Sequence, residues 1–430
     1  MICMNIAILG RQPALGIAEL ERVFGSKSIK VISNQAVCID SDLFNVQQFG
    51  GVPKAGKMIF EIQKSDWHHV SQKIVQHYSN QWLSFDGKIT LGISTYGFNI
   101  DARDVQKVGI LIKQKLKKSG VSLRLIPNPD TALNTAISHH NKLGLTKNKI
   151  ELIIVHANDG KVIVAESTGS QNITAYARRD QMRPKRDAFI GMLPPKLAQI
   201  MINLACGQVV DSRWYIVDGK KTQISNTKYP SDLLPTTYPI DRAQGLRHLL
   251  PTILDPFCGT GVILQEAALM GYSVYGTDLS EKMIRYSRDN LNWLADSHHI
   301  QFDWYLHHGD ATNTLWQQPI NAIVSETYLG QPFSAPPSPA KLDEVMKNCN
   351  HIISEFLKNL SSQIQSDTPV CIAIPAWRDK NGHFNHLPLV STIARLGYKP
   401  HEFTNISQND LLYYRENQIV ARELLVLTKI

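Results

Sequence analysis

The chain has 430 residues, 43% hydrophobic and 19% charged, with a net charge of +8. That length exceeds one ordinary core and predicts two or three domains of a soluble globular protein. No apolar run approaches the ~18 residues of a membrane span, and the start MICMNIAILGRQP lacks the basic opening and apolar core of a signal peptide. A cytoplasmic chain with no membrane partner is expected, a monomer by default. The six cysteines (Cys3, Cys38, Cys206, Cys258, Cys349, Cys371) form no CxxC pair, which predicts a reduced protein with no metal site.

Residues 101–190 carry a net +8, whereas residues 1–100 carry +2 and residues 191–430 carry −2. Positive charge so localised predicts a polyanionic partner for the middle of the chain. In order, residues 1–60 read as a small α+β module. It has strands at Asn5–Leu9, Ile29–Ile32, Ala36–Ile39 and Met58–Ile62, with a helix through Leu15, Ala18, Leu20 and Val23 that Gly25 ends. Next come a helix over Trp67–Tyr78, a strand at Ile89–Ser94, and a basic amphipathic helix from Asp104 to Lys118. Val105, Val108, Ile112 and Leu116 make its apolar stripe, and lysines including Lys113 and Lys117 lie outside it. Strands at Ser122–Ile126, Glu151–His156 and Lys161–Ser167 follow.

From Tyr176 to Asp187 the chain holds its densest cationic cluster, Arg178, Arg179, Arg183, Lys185 and Arg186. Pro194-Pro195 then opens a helix whose apolar face is Leu197, Ile200, Met201 and Leu204. Residues 211–250 read as an insertion. The segment from Thr252 to Asp278, TILDPFCGTGVILQEAALMGYSVYGTD, reads as strand, Gly loop, helix and strand, the start of a nucleotide-type unit.

The pattern Arg183-Pro184, Asp187, Gly191-Met-Leu-Pro-Pro-Lys-Leu-Ala198, then Asp255-Pro-Phe-Cys-Gly-Thr-Gly261, resembles the THUMP-domain class of tRNA guanine-N2 methyltransferases. Tyr413-Tyr-Arg415 and Arg422-Glu423 are similar to that family's C-terminal ending. The resemblance implies a ferredoxin-like module (1–62) and a THUMP-like RNA-binding domain (63–170), both small α+β. A linker and Rossmann-like α/β methyltransferase domain (171–430) would follow, using S-adenosylmethionine on tRNA. Lys113, Lys117 and the cluster Arg178, Arg179, Arg183, Lys185 and Arg186 are the expected RNA contacts.

The loop itself argues for that cofactor. A dinucleotide loop has GxGxxG, and a carboxylate ahead of it repels a pyrophosphate. Here Asp255 leads a single Gly259-x-Gly261 pair. A sulfonium and an ammonium favour an acid there, and the two glycines let backbone pass close by. Pro256 and Cys258 complete the loop. Asp278, with Leu279 beside it, is placed for ribose hydroxyls. Asp310-Ala311 follows a strand at Phe302–Leu306 and is placed for the adenine amine.

A fourth strand, Asn321–Ser325, ends in Glu326-Thr-Tyr328. Methylases of exocyclic amines carry Asp/Asn-Pro-Pro-Tyr/Phe at this point. The acid and a backbone carbonyl accept the amine's N–H bonds, and the ring stacks on a flipped base. Glu326 and Tyr328 fill the acid and ring positions, but both prolines are absent. Two readings stay open: a variant enzyme, or a tRNA-binding homologue without catalysis. The expected activity is methyl transfer to guanine N2 in tRNA, with a DNA or rRNA amino-methyltransferase (adenine N6 or guanine N2) as the alternative. A helix at Leu342–Leu360, a strand at Val370–Ile374 and a hairpin over Phe403–Ile406, Leu412–Arg415 and Val420–Leu427 complete the expected sheet.

Overall fold

The computed structural model describes residues 3–187, 192–207, 214–217, 220–223, 251–317, 319–333, 335–416 and 418–430. It divides into two compact units, Met1–Thr174 and Ala175–Ile430.

Unit one contains β1 (Asn5–Ile8), α1 (Pro13–Phe24), β2 (Ile29–Ser33), β3 (Ala36–Ile39), β4 (Lys54–Ile62), α2 (Trp67–Gln81) and β5 (Ile89–Tyr96). It continues with α3 (Ala102–Lys118), β6 (Leu123–Leu125), α4 (Thr135–His140), β7 (Lys149–His156) and β8 (Val162–Ser170). Among the described residues these strands form one continuous sheet in the order β2-β3-β1-β4-β8-β7-β5-β6. The sheet passes through residue 62 without a break, because β4 pairs with β1 on one side and β8 on the other. Lys54 on β4 is buried and meets Glu151 on β7 and Ser94 on β5, tying three strands by polar contacts. The predicted stripe of α3 is buried, Gly109 joining it, and Lys113 and Lys117 are exposed.

Against the expected reduced state, two of the cysteines are paired. Cys3 and Cys38 are joined in a disulfide, with Cα atoms 5.3 Å apart. Their spacing of 35 residues gives no sign of it. The antiparallel pairing of β1 with β3, which sets Asn5 opposite Ile39 and Ile6 opposite Cys38, brings them together. The other four cysteines are free.

The division between the units falls within α5 (Ile173–Gln181). The helix went unread in the sequence because only Tyr176 and Arg179 are buried on it, too few for an apolar period. After α6 (Pro195–Cys206) come β9 (Trp214–Val217) and β10 (Lys220–Gln223), which pair as an antiparallel ribbon. The remainder of the expected insertion at 211–250 lies outside the described residues, as do residues 188–191 of the Arg-Pro motif. The unit then runs β11 (Thr252–Asp255), α7 (Val262–Leu269), β12 (Ser273–Asp278), α8 (Glu281–His298), β13 (Trp304–His308), β14 (Ala322–Glu326), α9 (Pro339–Ser361) and β15 (Pro369–Arg378). It closes with β16 (Phe384–Asn385), β17 (Tyr398–Pro400), β18 (Leu412–Tyr413) and β19 (Val420–Lys429).

The sheet order is β13-β12-β11-β14-β15-β19-β17. β11 to β15 are all parallel, and β19 enters antiparallel beside β15. The chain reverses its direction of travel across the sheet between β11 and β14. In such sheets ligands bind outside the carboxyl ends of the strands at that reversal. The strand expected at Phe403–Ile406 is not formed, whereas the one expected at Leu412–Arg415 is present as β18 and pairs antiparallel with β19. In place of the former, β17 pairs with β19, three residues earlier, and Pro400, which has no N–H, ends it. The core under α9 gathers Leu254, Ile323, Ile353, Phe356, Ile372 and Leu425, all at most 2% exposed.

Candidate active site at the carboxyl ends of the parallel strands

β11 delivers Asp255 to the reversal point, and the loop after it is held from several sides. Gly261 is the left-handed cap of α7 (φ 78°), and a Cβ there would meet the Ser287 hydroxyl at 2.9 Å. Gly259 also has positive φ (51°), but its missing side chain would face open space. The loop is thus glycine on one side for packing and on the other for clearance. The Gly259 N–H donates to Asp278 at 2.9 Å and the Ser280 N–H donates to it at 2.8 Å. From α8, the Ser287 hydroxyl donates to the Gly259 carbonyl (2.8 Å), and the Asn290 amide donates to the Thr260 carbonyl (2.8 Å). Ser287 and Asn290 sit one turn apart on the buried face of a helix that went unread in the sequence. Serine and asparagine amid Met283, Ile284, Leu291 and Leu294 are the signal that could have found them.

Asp255 is 1% exposed. It accepts from the Ser325 hydroxyl (2.6 Å) and the Phe257 N–H (3.3 Å). Burial pushes its carboxyl up to about 8 despite those two bonds, and the nearby charges of Asp278 and Glu326 add to the rise. Asp278 is likewise raised by burial, partly offset by its two backbone donors and by His308. Asp310 accepts from the N–H and the hydroxyl of Thr312 (2.9 and 2.8 Å), and Ala311 beside it is buried. Leu279 is 70% exposed, an apolar side chain on the rim, and its carbonyl is in hydrogen-bond contact with His308 Nε2 at 2.7 Å. Cys258 is buried, and its thiol is pushed well above its usual value by that burial, so it packs rather than reacts. Acids from β11, β12 and β14 therefore interact electrostatically in one region.

Glu326 ends β14 as expected, but it is not alone. Its carboxylate is ion-paired with Arg422 Nε from β19. Burial raises Glu326 above the usual carboxylate range, and the Arg422 charge and hydrogen bond pull the other way. The sequence marked Arg422 only through a family ending. The absent prolines also have a replacement. Thr327 is buried and both its N–H and its hydroxyl donate to the Ala373 carbonyl, each at 3.0 Å. The backbone after Glu326 is thus pinned by hydrogen bonds where rings are lacking. Tyr328 follows at 41% exposure.

The cationic cluster is divided. Arg178 and Arg186 are exposed and Lys185 is half-buried. Arg179 and Arg183 are buried, which corrects their expected role as RNA contacts. Arg179 donates twice to Glu266 of α7 (2.6 and 3.1 Å) and lies over the Tyr176 ring. A guanidinium spent in this way is a strut between helices. Lys185 is held at its backbone, whose N–H and carbonyl both bond the Asn290 side chain at 2.9 Å.

Residues 250–389 match the family model described as "Methyltransferase domain". These residues form a methyltransferase domain. The chain also superposes on the crystal structure of TrmN from Thermus thermophilus with a TM-score of 0.51 at 13% identity, covering 99% of this chain and 100% of that one. At that identity the likeness is one of fold. In sequence, the chain is 33% identical over 127 residues to a tRNA (guanine(10)-N2)-dimethyltransferase of Methanothermobacter thermautotrophicus. It is 37% identical over 83 residues to a protein of the same name from Pyrococcus abyssi. These matches cover 30% and 19% of this chain, and 34% and 21% of the relatives' own lengths. The methyltransferase domain thus coincides with the acid-lined strand ends, from Asp255 to Glu326. Arg422 lies beyond the residues that the family model matches.

Proposed function

We propose that the chain is an S-adenosylmethionine-dependent methyltransferase acting on the exocyclic N2 of a guanine in tRNA. The observation that carries this is the set of acids at successive parallel strand ends (Asp255, Asp278, Asp310) around an acid-led Gly loop, with Glu326 one strand over. The names of the two sequence relatives support the substrate.

The residues fit the cofactor chemically. Asp255 is a buried carboxyl beside two other acids, a setting that a cation relieves and an anion worsens. Asp278 would hold the ribose hydroxyls, Asp310 and Ala311 the adenine, and Pro256, Cys258, Gly259, Gly261 and Leu279 would line its path. When bound, S-adenosylmethionine supplies an activated methyl group on a sulfonium. The protein then has to present the amine. The N2 lone pair is delocalised into the guanine ring. Glu326 and a neighbouring backbone carbonyl accept its N–H bonds and return density to nitrogen, while Tyr328 stacks on the flipped base. Unit one, as a ferredoxin-like module with a THUMP-like domain, brings Lys113 and Lys117 to the RNA backbone, with Arg178, Lys185 and Arg186 of the linker. The reaction belongs in the cytoplasm, on a monomer. Among the described residues no helix is long and apolar enough to cross a membrane.

Incubating total tRNA with methyl-labelled cofactor and analysing the nucleosides tests the reading. Labelled N2-methylguanosine supports it, labelled N6-methyladenosine redirects it to another amine, and no label overturns catalysis. Two binding experiments test the cofactor site. Asp278→Ala removes charge-assisted bonds of about 2 kcal/mol, so calorimetry should show affinity for S-adenosylmethionine weakened by roughly thirtyfold. The second concerns pH. Burial pushes the Asp255 carboxyl up to about 8 in the free protein, and a bound cation favours its ionised form. Cofactor binding should therefore release a proton and tighten as pH rises toward about 8, then level off. Measuring binding heats in buffers of different ionisation enthalpy detects that proton, and Asp255→Asn should abolish it.

A further inference from the structure

We propose that Arg422 is a positioning residue for methyl transfer, holding the Glu326 carboxylate across β15 so that it faces the target amine. The inference rests on the functional reading above and names a residue which that reading does not require. Glu326 on β14 is level with Ala373 on β15, which is opposite Leu424 on β19. Arg422 lies two residues along from Leu424, opposite Pro375, so it shares that face of the sheet. Two strand spacings of about 4.8 Å separate the backbones of β14 and β19. A glutamate and an arginine reaching toward each other span that distance over an alanine. A shorter Asp at position 326 would fall one methylene short. The longer acid and the arginine therefore make a matched pair, which explains how the altered motif keeps a placed carboxylate.

The surroundings leave Arg422 as the compensating charge. Facing Glu326 from β11 is Asp255, whose charge couples to it, with Asp278 one strand further on β12. β15 presents Ala373 there. α6, packed on β14, directs Lys196 over the Tyr176 ring. Glu423, adjacent to Arg422, points to the opposite face, where it meets His386 Nδ1 at 2.8 Å. Arg422 itself is 8% exposed, too buried to serve as a surface contact for RNA.

The experiment compares full-length wild type, Arg422→Met and Arg422→Lys in methyl transfer to tRNA across pH, with cofactor affinity by calorimetry. It also follows Glu326 by carboxyl 13C titration. Losing the opposite charge should move the acid limb of kcat and the Glu326 titration upward together by about one to three pH units in R422M. Cofactor affinity should stay at the wild-type value, and R422K should restore part of the shift. An active wild type whose R422M and R422K variants keep the same acid limb overturns the role of Arg422. So does a loss of cofactor affinity equal to the loss of turnover, which marks a residue that only supports the fold. A wild-type chain that transfers no methyl group overturns the functional reading itself, and the role of Arg422 with it.

Discussion

Glu326→Ala is expected to lower turnover on tRNA by about a hundredfold to a thousandfold, the range for removing a group that acts on the reacting atoms. Cofactor affinity should change far less, because the Gly loop and Asp278 are held by β11, β12 and α8, and Glu326 acts on that site only through its charge on Asp255. The variant also leaves Arg422 buried without its partner, so a stability loss is expected beside the kinetic one. Glu326→Gln separates the two. A glutamine retains an oxygen for Arg422 and for the amine but carries no charge. It should lose less stability than Glu326→Ala and fall between that variant and the wild type in kcat. Single-turnover measurements at saturating cofactor would read this directly. A Glu326→Ala enzyme that turns over at the wild-type rate would show that another group accepts the amine.

The acid-bearing strand ends that carry the proposed cofactor residues were legible in the sequence for a physical reason. An acid ahead of a Gly-x-Gly turn, and acids after the next two strands, are local features whose meaning depends on a short segment of chain. Asp255, Asp278 and Asp310 needed only the strand–loop–helix pattern to be placed. The α3 stripe was legible for the same reason, since helical spacing is a property of neighbours. What stayed hidden depends on contacts far apart in the chain. Arg422 meets Glu326 across 96 residues, and no periodicity records such a pairing. Thr327 looked like the loss of a proline, yet its two bonds to Ala373 arise only once β14 and β15 lie side by side. The disulfide between Cys3 and Cys38 likewise follows from strand pairing. α8 is a different case. Its buried polar residues Ser287 and Asn290, which hold the Gly loop, dilute the apolar period that would have revealed it.

The basic linker shows how charge density misleads when burial is unknown, and it yields a prediction of comparable size. Arg179→Ala should cost about 3–5 kcal/mol of stability, because deleting one partner strands the other's charge in the interior. Glu266 is 3% exposed and receives both donors of the Arg179 fork. Burial already raises its carboxyl, and Arg179 does most to hold that rise in check, with the Arg183 charge adding to it. The loss should be seen as a lower urea midpoint with an unchanged slope. Replacing both residues by leucine should recover much of it, since an apolar pair of similar volume carries no desolvation cost. Arg186→Ala should behave in the opposite way. Its side chain is exposed, so stability should stay within about 0.5 kcal/mol of wild type. The dependence of log affinity for tRNA on log salt should meanwhile flatten by about one unit. Measured at a temperature where Arg179→Ala remains folded, that variant should keep the wild-type salt slope. A flattened slope there would mean that the Arg179–Glu266 pair opens to the RNA, and that α5 is rebuilt when tRNA docks.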